Sequence, residues 1–310
     1  MIPLLIISGL VLLSVPGLVS VRKGHPAHWT RNALAVLLTG FALVVAGLLL
    51  WAAPAWLDLL GATELARVCR RMLGGLAPGG WQAGATAGIV VVVLAGMGFG
   101  GAWRVRRIQR RMRVESWLGV HERRGDHDLV VVPTADLLAY AVGGRPPQVV
   151  VSQGLLDRID GELTEAVCAH EVVHARYGHD GFIAALAAVA AAFAWFPPTR
   201  WGVANVRLAL ERWADEEAGA VAPTGRQGVR SALLEVAWAG LGPEVASFGP
   251  VDTISERAEA LSDPPPRPSR LRVVTGYVAV WVAALVATGS LAWATGMSIL
   301  AVTNPGLCVL

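Results

Sequence analysis

Four apolar runs, at residues 2–20, 33–51, 83–103 and 273 to about 293, constrain this chain more than any other feature. Each is close to the roughly 20 residues needed to cross about 30 Å of hydrocarbon. The composition agrees. Of 310 residues only 16% are charged, where a soluble domain carries about 25%. Mean hydropathy is +0.53. The first run is not a signal peptide by pattern, because Arg22 and Lys23 follow it instead of preceding it. The expectation is therefore a helical membrane protein of about four transmembrane helices.

Charge sets the expected sidedness. Residues 103–113, WRVRRIQRRMR, carry six Arg and no acid directly after the third run. Arg22, Lys23 and Arg31 fill the first loop, and Arg267, Arg270 and Arg272 precede the fourth run. With four spans these clusters share one side, which the positive-inside rule makes cytoplasmic. Arg67, Arg70 and Arg71 in the second loop oppose this, and the 104–113 cluster outweighs them. A net charge of +3 is too small to suggest nucleic-acid binding. Cys69, Cys168 and Cys308 form no CxxC pair, so neither a disulfide framework nor a cysteine zinc site is expected.

Three segments follow: transmembrane helices in 1–103, a cytoplasmic domain in 104–272, and a last helix with a short tail in 273–310. In the middle segment β-branched runs at 128–132 (DLVVV) and 148–152 (QVVVS) read as a small sheet, with the breaker GGRPP at 143–147. QVVVS is expected to offer an edge for an extended peptide. Beyond Leu155 the pattern becomes helical. The Ala-rich run at 181–198 is short for a span, and reads as a core helix or one that dips into the membrane.

The chemistry begins at residues 166–180, AVCAHEVVHARYGHD. Asp160-Gly161-Glu162 opens a helix with acids at its positive end. His170 and His174, four apart, project from one face and can share one metal ion. Glu171 lies about a third of a turn away, placed to act on a water without binding the metal. A metzincin would need Gly in place of Tyr177 and His in place of Asp180, so that class is excluded. A third ligand is required to hold zinc with one open position. Glu211, in LALERWADEEAGA at 208–220, is the best candidate, with Asp215 one turn on to orient a ligand imidazole. A solvated acidic helix face is the competing reading of the same residues. If Glu211 joins His170 and His174, the single apolar run in the 36 residues between His174 and Glu211 crosses the bilayer zero times. Tyr177, Tyr140 and Arg207 stand unranked as groups that could stabilise an oxyanion.

In residues 130–220 the chain resembles integral-membrane gluzincins, most of all the BlaR/MecR-type metallopeptidases, with HtpX and the CAAX-prenyl proteases as relatives. PPQVVVSQGLLDRIDGELTEAVCAHEVVHARYGHD, FAWFPPTRW and LERWADEEA carry the likeness. It implies an α+β zinc-peptidase domain inserted among the membrane helices, with one Zn2+ per chain. The implied ligands are His170, His174 and Glu211, the base is Glu171, and Asp215 and His179 support them. It further implies a membrane-bound endopeptidase whose active site faces the cytoplasm and whose substrate is a protein or peptide, such as a transcriptional repressor. The sensor domain that follows the last span in antibiotic-sensing relatives has no counterpart in the 15 or so residues after Trp293. Ser20-x-x-Lys23 matches a penicillin-reactive motif by chance. A quality-control protease of the HtpX kind, and a non-catalytic scaffold with a structural metal site, are the alternative expectations.

Overall fold

A computed structural model describes residues 2–19, 24–73, 80–116, 119–125, 127–239 and 251–264. The expected fourth span and tail, and Arg22, Lys23, Arg267, Arg270 and Arg272, lie outside the described residues.

The apolar runs form long helices. α1 (Ile2–Leu18) lies against α2 (Pro26–Leu59), and α3 (Thr63–Leu73) precedes α4 (Gly80–Glu115). α2 and α4 are long and apolar enough to cross a membrane, whereas the 17-residue α1 is shorter. α1 and α2 meet where both lack side chains. A Cβ added at Gly9 would lie 2.7 Å from the Gly40 carbonyl oxygen. α1 buries Leu5, Gly9 and Leu13 on that seam and leaves Leu4, Ile7 and Val11 exposed. α4 runs unbroken from its apolar half through the arginine cluster, so residues 103 and 104 sit within one helix.

Beyond α4, β1 (Val120–Arg124), β2 (His127–Val132), β3 (Ala139–Val142) and β4 (Gln148–Ser152) form one sheet in the order β1-β2-β4-β3. β2 and β4 pair in parallel, and β1 and β3 flank them antiparallel. QVVVS is therefore interior, against the expectation that it offers an edge. Its Val149, Val150 and Val151 are fully buried, which is what a run of consecutive apolar residues buys in a strand covered on both faces. The open edge next to the helices belongs to β3. β1, exposed throughout and polar beyond Val120, carries no apolar alternation and was not legible in the sequence.

α5 (Gln153–Leu156) leads into α6 (Gly161–Tyr177), which packs Ala166, Val167, Cys168 and Val172 into the same core as Leu129, Val149 and Val151. The Asp160 carboxylate caps α6, accepting from the Leu163 N–H at 2.8 Å. Gly178 ends it in a left-handed conformation, φ 66°, which side chains other than Gly adopt at a cost. α7 (His179–Ala192) starts at once, followed by α8 (Pro197–Val221). The fifteen residues from His179 to Phe193 cover about 21 Å, and the fifteen from Pro197 to Glu211 return by about the same amount. This hairpin lies among the apolar helices. α7 packs on α4, where a Cβ at Gly101 would sit 2.4 Å from the Ala187 carbonyl oxygen. α8 packs on α1, with Asn205 donating to the Pro16 carbonyl at 2.9 Å. The ends of α6 and α8 thereby finish side by side. α9 (Gly225–Ala239) and α10 (Val251–Ser262) close over them.

Candidate metal centre

α6 and α8 bring His170, His174 and Glu211 together, with one potential ligand atom from each lying within 4.8 Å of the others. The His170 and His174 Nε2 atoms are 3.1 Å apart. Glu211 places Oε2 at 3.4 Å from His170 Nε2 and Oε1 at 3.8 Å from His174 Nε2. Four ligands at about 2.1 Å around a tetrahedral zinc ion are separated by about 3.4 Å, so the three donors have the spacing of a cation site. Tautomers agree with that reading. Asp215 Oδ1 sits 3.0 Å from His170 Nδ1, and His179 Nδ1 sits 2.9 Å from His174 Nδ1. Each ligand ring is thus engaged through Nδ1 and turns Nε2 toward the shared point.

The electrostatics of the three donors differ from one another. Burial opposes a charge on His170, but the hydrogen bonds its ring donates to Asp215 and Glu211 overcome it and raise its imidazole to about 10. Burial lowers His174 to about 4, aided by the neighbouring His170 charge. Of the two rings, only His170 therefore carries a positive charge at neutral pH. Burial also works against Glu211, yet His174, Arg257 and His170 hold its carboxyl well below the usual carboxylate range. Its side chain keeps 36% exposure, so water reaches the centre. Glu171 behaves differently. Burial raises it to about 7, against the charges of His170 and Arg257 and an N–H from Ala141 of β3.

His179 is fully buried, its ring 4.6 Å from that of Trp213 and 6.1 Å from that of Phe182. Burial lowers it to about 3, so it supports His174 as a neutral ring. The unranked oxyanion candidates are engaged elsewhere. Tyr177 donates to Glu217, Tyr140 donates to the Met112 carbonyl, and Arg207 faces outward from α8.

Arg257 on α10 was missed. Its Nε and Nη2 donate to Asp215 at 2.8 Å each, and Nη1 lies 3.3 Å from Glu211 Oε2. Burial works against a charge on Asp215, and the guanidinium outweighs it, holding the carboxyl at about 2. A line of charge runs Arg257–Asp215–His170 and meets the ring at Nδ1, on the side away from the Nε2 that faces Glu211. A signal for it exists in the sequence. Ile254, Arg257, Ala258 and Leu261 fall at i, i+3, i+4 and i+7, putting one charge on an apolar helix stripe. A charge so placed needs a buried partner.

Residues 102–196 match the profile of peptidase family M48. The match covers α4 from Ala102, the sheet, α6 and α7, and therefore includes His170, Glu171 and His174 but stops before Glu211. That segment is metallopeptidase-like, and the donors found beside it suit a metal-dependent hydrolase. No curated protein and no solved structure matches the chain.

Proposed function

We propose that this protein is a membrane-bound, zinc-dependent endopeptidase that cleaves a cytosolic or membrane-proximal protein. The observation that carries the reading is the convergence of two His Nε2 atoms and a carboxylate beside Glu171, the one acid of the cluster raised to about 7. A zinc ion held there would polarise the scissile carbonyl and acidify a water molecule. His170, His174 and Glu211 would hold it, and Asp215 and His179 would fix the two rings. Glu171, near neutrality, accepts a proton from the attacking water and delivers it to the leaving amine. A purely structural site has no use for that carboxylate, which argues against a scaffold.

The long apolar α2 and α4, with large apolar side chains exposed on α1 and α4, support a multi-pass membrane location. The arginines after the apolar half of α4 support a cytoplasmic active site. The α7–α8 hairpin begins and ends at the site, consistent with a segment that does not cross.

The test uses the full chain in lipid nanodiscs, comparing wild type with Glu171→Gln on a proteome-derived peptide mixture. Cleavage should fall by about 10²–10⁴-fold in the variant with zinc content unchanged. Equal cleavage by both proteins would sink the proposal. Comparative proteomics in cells separates the two physiological roles. A single cleaved cytosolic repressor indicates a regulatory protease of the BlaR/MecR kind, whereas many stabilised membrane proteins indicate quality control of the HtpX kind.

A further inference from the structure

The six arginines at the end of α4 are not distributed evenly around the helix. Arg106, Arg110 and Arg113, at i, i+4 and i+7, line a groove of about 420 Å³ together with Gly143 and Asp180. Arg104, Arg107 and Arg111 project from the opposite side, since each residue advances about 100°. Sidedness in a membrane explains a cluster of positive charge, but it is indifferent to where that charge points around a helix. The groove needs another reason.

Its floor is the open edge of β3. Tyr140 and Val142 face Val150 and Gln148 of β4, and the Ser152 N–H bonds the Leu138 carbonyl at 2.9 Å. Antiparallel ladders alternate, so residues 138, 140 and 142 pair inward while Ala139 and Ala141 turn N–H and C=O outward. The Ala141 N–H reaches Glu171. The edge thus starts at the proposed base and runs into the arginine groove at Gly143. α4 is tied down as the facing wall. Arg113 donates to the Gly143 carbonyl at 3.1 Å, and Gln109 donates to the Asp180 carbonyl at 3.2 Å. Arg110 lies over the Trp103 ring at 5.6 Å. Three guanidinium groups against the single Asp180 carboxylate leave the groove positive.

We infer that this groove selects substrates, taking an extended peptide with Asp or Glu on one flank of the scissile bond. Main-chain pairing to β3 supplies sequence-independent hold, and the arginines supply the preference. The inference rests on the peptidase reading above.

Two readouts keep the two apart, both on the full chain in zwitterionic nanodiscs. In the first, fluorescent peptides of one length, acidic or neutral, bind to zinc-loaded Glu171→Gln protein. In the second, active enzyme cleaves a peptide library and the sites are aligned. Acidic peptides should bind better, and Asp and Glu should be enriched within about four residues on one side of the cut. The combined change R106E/R110E should lower the acidic-to-neutral ratio at least about fivefold, while R104E/R107E, equal in charge, should not. Cleavage without acidic preference, or equal effects of the two double variants, overturns the groove and spares the peptidase. Acidic binding without zinc-dependent cleavage overturns the peptidase and leaves the groove as a docking site. Loss of acidic preference on adding phosphatidylglycerol would show a lipid headgroup site instead, and overturns the inference.

Discussion

Changing Asp215 to Asn removes one charge from the Arg257–Asp215–His170 line at nearly constant volume. Asp215 is 2% and Arg257 4% exposed at their side chains, so neither recovers its lost partner from water. The Asn amide keeps one acceptor oxygen but no charge and sets an NH2 group against the other donor, so Arg257 trades two 2.8 Å bonds to a carboxylate for one to a neutral oxygen and keeps Glu211 at 3.3 Å. Breaking one side of a buried pair costs about 3–5 kcal/mol. The remaining Glu211 contact puts the cost near the lower end, about 3 kcal/mol. For a domain of this size that lowers Tm by about 6–12 °C. The second effect falls on the metal. His170 Nδ1 exchanges its carboxylate acceptor for at best a neutral amide oxygen, and zinc affinity should fall about 10–100-fold. Chelator-competition titration and thermal melts of zinc-loaded and metal-free protein measure the two losses separately. The pH sign is fixed as well. Asp215 titrates near 2 when folded and near 4 when unfolded. Its contribution is full above about pH 4 and is lost as pH falls toward 2. Wild-type and variant melting temperatures should converge over that interval. A D215N protein with wild-type zinc affinity and wild-type melting would refute the charge line.

Two further predictions follow from neighbouring features. Because metal-free His170 titrates near 10, zinc binding at pH 7.5 should release about one proton, and affinity should rise with pH. Calorimetry in buffers of different ionisation enthalpy measures that number, and zero released protons would contradict the protonated pair. Gly101→Val places side-chain atoms against the Ala187 carbonyl and should destabilise the α4–α7 contact by about 1–3 kcal/mol. A thermal melt checks it, and an unchanged Tm would mean α7 does not press on α4.

Much of the site was legible because it is local. His170 and His174 share a face through helical periodicity, Glu171 follows from the same helix, and Asp160 and Gly178 mark its ends. Glu211 was legible as a candidate because another helix repeats the four-residue spacing, and the folded chain brings it within reach of both rings. Arg257 was harder. It lies 46 residues beyond Glu211 and shows no motif, only a charge on an apolar stripe. The strand order was harder still. QVVVS has the composition of any strand, and whether it is central or at an edge depends on which neighbours pair with it, a long-range matter.

The sequence by itself determined the apolar helices, the helix that carries His170 and His174 on one face, and the rule that the run at 181–198 returns if Glu211 is a ligand. Periodicity and length suffice for these, since each is a property of one segment. The tertiary structure alone decided that β3 is the sheet edge beside the helices and that Arg257 braces Asp215. It also turned half the α4 arginines toward that edge. Each of these depends on the side chain or strand facing the residue, and facing partners come from distant parts of the chain.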